Sequence, residues 1–211
     1  MLQRVIDYFR PPPIRSRAAL QPFLSSQASY LAQRSTYEFS RNTLSYYGQG
    51  AWHDPVFQDL MRVCRWESFA AVLADMIVLT EGQLRPASGG DANALVEPLA
   101  ALYRAIISAY PVPAHRSDGW EADIAGFRQR LERAQMIAPL PPGDVALVGA
   151  RRVFEVLPVY SQYREVDYQV IEGAIRFGII AFNDQLRARL QVDAVFADLR
   201  ADPTAAAAAP R

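Results

Sequence analysis

The sequence predicts an all-α fold, a single-domain bundle of about six to seven helices, and three observations carry that expectation. Apolar residues recur at intervals of three and four over long stretches. Proline and glycine fall between those stretches and seldom inside them. Strand-like patterning is confined to one short fragment, Val145 to Val148. Long helices are expected near residues 16–47, 54–84 and 164–190.

Taken in order, the elements justify themselves locally. Leu2, Val5, Ile6 and Phe9 share one face of a short amphipathic helix over 1–10, stopped by Pro11, Pro12 and Pro13; that break makes it a candidate detachable docking element. A second helix starts at Ser16, a suitable N-cap, or at Gln21 ahead of Pro22. It runs to about Tyr47 and ends at Gly48 and Gly50. The third has the clearest start, with Asp54 as N-cap and Pro55 in the first position, and stops at Pro86, Gly89 and Gly90. A fourth, Asp91 to Tyr110, contains Pro98, which kinks it or marks its true beginning. The fifth, Asp118 to Met136, sets Trp120, Ile124, Phe127 and Leu131 against Glu121, Arg128, Arg130 and Glu132, the division of a surface helix. Pro139, Pro141, Pro142 and Gly143 form the strongest internal break. A sixth helix covers Asp144 to Pro158, a long one Arg164 to Leu190, and a short turn Asp193 to Leu199. The helical domain is thus expected over 1–200, followed by a disordered Ala/Pro-rich tail over 201–211.

Helices apolar around their whole circumference are buried. By that rule Phe69–Thr80 and Val170–Phe182 are the two central segments, with Gly173 and Gly178 permitting close approach of another helix. Any apolar surface left over marks a dimer interface. Asp75 and Glu172 lie within these segments, and buried carboxylates need partners. Arg176, one turn on, serves Glu172; Asp75 requires an arginine from another helix.

Composition excludes several classes of function. The 22 basic and 22 acidic residues cancel, which disfavours nucleic acid and charge-driven docking on an anionic bilayer. Every basic residue is arginine, read as the coding bias of a GC-rich bacterial genome, so no lysine is present for Schiff-base chemistry. The most apolar run, Phe69–Thr80, falls short of the roughly 20 residues of a membrane span. With no secretory pattern at the N-terminus, the expected location is the cytoplasm. Cys64 stands alone and suits a small core filler. His53 and His115 sit in expected loops without metal-ligand spacing. No glycine-rich phosphate loop or nucleophile elbow occurs. No metal, cofactor or catalytic residue is therefore expected, and an enzyme is the less favoured class.

One helix face is chemically distinct. Gln27, Tyr30, Arg34, Tyr37, Glu38 and Arg41 share one broad face, linked by spacings of three and four such as 34/38, 37/41 and 38/41. Packed antiparallel across the Gly48–His53 turn, position 38 lies level with position 64. That places Arg34, Glu38 and Arg41 near Glu67, edged by Tyr30, Tyr37 and Trp66. Such a group is either a polar pocket for an anionic or aromatic small molecule, or a solvated face and register-fixing network, the commoner role of charge pairs at this spacing. The leading expectation is a non-catalytic bacterial interaction protein (an adaptor, scaffold or regulator) acting through helical surfaces on another protein or as a homodimer. The alternative is a helical small-molecule-binding protein or enzyme using a pocket around Arg34, Glu38, Arg41 and Glu67.

Overall fold

A computed structural model describes residues 11–47, 49–91, 93–159 and 164–201. The expected helix over 1–10, Gly48 and the tail beyond Ala201 lie outside these residues. The described chain is a packed bundle of seven α-helices: α1 Arg17–Tyr47, α2 Pro55–Leu84, α3 Val96–Ile107, α4 Glu121–Ala134, α5 Val148–Val156, α6 Arg164–Arg189 and α7 Val192–Arg200. No strand occurs among the described residues. Extended pairing is limited to Ile14 beside Leu190, where the Ile14 N–H donates to the Arg189 carbonyl at 2.8 Å and the Gln191 N–H to that of Ile14 at 2.9 Å.

Helix ends follow local chemistry. The Asp54 carboxylate accepts the Val56 N–H at 2.8 Å ahead of Pro55, satisfying a donor the first turn would otherwise leave open. α3 starts at Val96 rather than Asp91, with Pro98 in its first turn, where a missing N–H costs nothing. α5 likewise starts later than Asp144: Leu147 is extended, with φ −95° and ψ 108°, and the helix begins at Val148.

α2 is the centre of the bundle and touches each of the other six helices. From Phe69 to Thr80 only Ala71 and Val78 are not fully buried. The expectation for α6 requires correction. Ile171, Ile175, Ile179 and Phe182 are buried, but Phe177 is 75% exposed, Val170 57% and Ile180 38%. α6 is peripheral, with one apolar face on the core and another on the outside. Hydropathy registers both faces alike, and only the packing distinguishes them. The two glycines divide the same way. A Cβ at Gly178 would stand 2.3 Å from Leu31 Cδ1, so that glycine admits α1, whereas Gly173 has nothing within 4 Å.

Three buried carboxylates on α2 fasten the second half of the chain. Glu67, 3% exposed, accepts from His115 Nε2 at 2.8 Å, from Arg116 Nε at 2.6 Å and from Arg152 Nε at 3.0 Å. Arg116 also pairs with Asp123 and lies 4.2 Å from the centre of the Trp120 ring. Burial pushes the Glu67 carboxyl up, but the bonds from Arg116, Arg152 and His115 outweigh it and hold the group at about 2. Asp75 pairs with Arg130 at 2.7 Å and accepts the backbone N–H groups of Val148 and Gly149 at 3.1 and 2.8 Å, thereby capping α5. Complete burial drives this carboxyl's pKa upward, against the pull of Arg130 and the two N–H groups. Glu81 binds Arg85 and, at 2.6 Å, Gln135 at the end of α4. Both partners anticipated from the sequence are in place: an arginine from another helix on Asp75, and Arg176 on Glu172 at 2.7 Å.

Candidate functional site

α1 and α2 pack antiparallel, and Ser40 Oγ meets Met61 Sδ at 3.5 Å, which confirms the level expected for positions 38 and 64. Beside this contact the two helices and the turn between them border a groove of about 940 Å³. Tyr30, Arg34, Tyr37 and Glu38 line it from α1; Trp52, Phe57, Met61, Arg62 and Arg65 line it from the turn and α2. The aromatic wall is continuous. Tyr37 and Trp52 lie 5.3 Å apart, and Trp52 meets Phe57 edge to face at 5.2 Å and 85°, a favourable arrangement of ring quadrupoles. Gln58 Nε2 donates to the Trp52 carbonyl at 3.0 Å and fixes the turn.

The charges along this groove are unequally matched. Arg34 Nε donates to Glu38 at 3.1 Å, and its Nη1 to the Tyr30 hydroxyl at 3.4 Å; both partners favour its charged form. Arg62 pairs with Asp59. The Nε of Arg65 donates to the Met61 carbonyl at 3.4 Å, and among the described residues its guanidinium meets no carboxylate.

Four of the seven residues singled out in the sequence, Tyr30, Arg34, Tyr37 and Glu38, therefore share one groove, and three lie elsewhere. Arg41 is exposed and outside the lining. Trp66 packs against Phe69 and Tyr110 in a smaller hollow of about 430 Å³ on the other side of Arg62 and Arg65. Glu67 faces away, toward His115, Arg116 and Arg152. At about 100° per residue, Arg65 stands about 40° around the helix from Met61 and Glu67 about 120° the other way. The level of Glu67 was right and its direction was not.

The crest of α1 has a second groove on its opposite side. Tyr30, Arg34 and Glu38 also border a hollow of about 280 Å³ against Val170, Phe177 and Ala181 of α6. Beyond it, Val166, Val170, Gly173, Phe177 and Ile180 form an outward stripe along α6, with Val166 59% exposed. Sequence reasoning did not place Phe57 in the groove or Phe177 on the outside of α6. The repeat of apolar residues at 166, 170, 177 and 180, alongside the separate repeat at 171, 175, 179 and 182, was the available signal for two apolar faces.

Reactive chemistry is sparse here. Cys64 is fully buried, and desolvation pushes its thiol up to about 12, so it is no nucleophile at neutral pH. Among the described residues no group of His, Cys, Asp and Glu is arranged to hold a metal ion, and no helix is long and apolar enough to cross a membrane. What the face offers is exposed aromatic, aliphatic and arginine side chains on a rigid helical frame. Comparison with protein-family models, with curated proteins and with solved structures finds no match to this chain.

Proposed function

We propose that this chain is a non-catalytic interaction protein that docks another protein on the face formed by α6 and the crest of α1. One observation carries the reading: Phe177, Val170 and Val166 are 75%, 57% and 59% exposed along a single helix stripe. Isolated exposed apolar residues are ordinary, whereas a contiguous stripe of large ones marks a recognition surface. The neighbouring residues support the same reading. Tyr30 and Arg34 stand beside the stripe, and tyrosine and arginine are among the residue types that carry binding energy at interfaces. The buried carboxylates of α2 are consumed in bonds to other segments of the fold, which favours a structural role for them. In this account the chain acts in the cytoplasm as an adaptor, scaffold or regulator, and its partner presents a complementary apolar helix or a second copy of the same surface.

Affinity capture from the native organism with wild type and Phe177→Asp side by side tests the proposal. A partner retained by wild type and lost by the variant supports it. An identical partner set for both proteins removes α6 as the docking face.

A further inference from the structure

We propose that the groove between α1 and α2 is a binding site for a small planar aromatic monoanion, an aryl carboxylate in chemical class. The groove is separate from the α6 stripe, and this inference does not depend on the docking role of that stripe. At about 940 Å³ it falls within the usual range of small-molecule sites, roughly 300–1,000 Å³. Its floor is apolar: Phe57 and Met61 are each 7% exposed. The Thr36 hydroxyl, which lines the groove at that depth, already donates to the Ala32 carbonyl at 2.9 Å. A ligand reaching the floor therefore finds no free hydroxyl proton to satisfy, and an apolar ring fits there better than a sugar or a peptide backbone.

Tyr37 and Trp52, 5.3 Å apart and inclined at 45°, present faces and edges on which a flat ring packs. Charge selects the rest of the ligand. Among the described residues Glu38 matches Arg34, Asp59 matches Arg62, and Arg65 remains as one surplus positive charge at the lip. A guanidinium holds a carboxylate through two parallel N–H donors, a geometry that a lone ammonium cannot offer. One surplus charge suits a monoanion. A dianion would carry excess charge, and a neutral aromatic would leave the arginine unused. The ligand's ring would then lie against Tyr37 and Trp52 with its carboxylate at Arg65.

Isothermal titration of the full chain with 2-naphthoate tests this, with 2-naphthamide and inorganic phosphate as comparison ligands. Arg65→Gln is the site variant. Arg133→Gln, which removes the same charge from α4 outside this groove, is the control. Arg65 is exposed, so its substitution leaves the fold intact, as circular dichroism verifies. Saturable binding of 2-naphthoate at one site is expected, weakened at least about tenfold by Arg65→Gln, since even one charge-assisted hydrogen bond is worth that much, and unchanged by Arg133→Gln. The amide is expected to bind at least about tenfold more weakly than the acid. The proposal is overturned by the absence of saturable naphthoate binding at millimolar concentration, by equal affinity for acid and amide, or by phosphate alone binding as tightly. Equal losses in the two arginine variants would also overturn it, because net charge rather than the groove would then be responsible.

Discussion

Replacing Glu67 by Gln removes a negative charge that three donors from two distant segments share, and the consequence can be worked through in numbers. The carboxyl is held at about 2 in the folded protein against 4.5 ordinarily. Each pH unit of that difference is worth about 1.4 kcal/mol, so the ionised group contributes about 3 kcal/mol at neutral pH. That is a large share of a typical stability of about 5–15 kcal/mol. The sign follows from the direction of the shift. A depressed carboxyl stabilises above its unfolded pKa, and the contribution fades as pH falls through 4.5 toward about 2. At pH 3 linkage leaves about 1.4 kcal/mol. Urea denaturation of wild type and Glu67→Gln from pH 7 to pH 3 reads this directly. The variant is expected to be about 3 kcal/mol less stable at pH 7, with that gap roughly halved at pH 3. A gap below about 1 kcal/mol, or one that does not change with pH, would refute the claim that Arg116, Arg152 and His115 are pinned through this charge.

Other substitutions probe the remaining ties. Asp75→Ala leaves Arg130 without its carboxylate in the interior and uncaps α5; denaturation is expected to show a loss of about 3–5 kcal/mol. The two α6 glycines should respond in opposite directions. Gly173→Ala gains helix propensity in open space and stabilises by up to about 1 kcal/mol. Gly178→Ala drives a methyl into Leu31 and costs about 1–3 kcal/mol, read from paired melting curves. Cys64, buried with its thiol pushed up to about 12, should resist a thiol reagent in native buffer and react fully in denaturant, since thiolate formation governs the rate.

How much of this was legible in the sequence depends on whether a feature is local. The start of α2 was, because Asp54 and Pro55 act on the turn that immediately follows. So was the Glu172–Arg176 pair, four residues apart on one helix. Levels along the α1–α2 pair were also legible, since a short turn between antiparallel helices leaves little freedom in register. Azimuth was not. Glu67 lay at the anticipated height but on the side of α2 that faces the 115–116 loop and α5, and nothing in residues 30–70 encodes where Arg116 and Arg152 will arrive. α6 failed for a related reason. Its two apolar faces read together as a buried helix, and only the placement of the rest of the bundle shows that one of them has none of the described residues packed over it. Gly173 and Gly178, five residues apart and alike in sequence, are separated by the same fact.

The central claim is that the outer face of α6 does recognition rather than folding, and the melting temperature of a Val170→Asp/Phe177→Asp double variant tests it most directly. Side chains 57% and 75% exposed contribute little to the bundle, so the midpoint should stay within about 2 °C of wild type, as about 1 kcal/mol moves it by about 2–4 °C in a chain of this size. A fall of about 10 °C or more, the signature of losing several kcal/mol of core packing, would contradict the account, because these residues would then be holding the fold together.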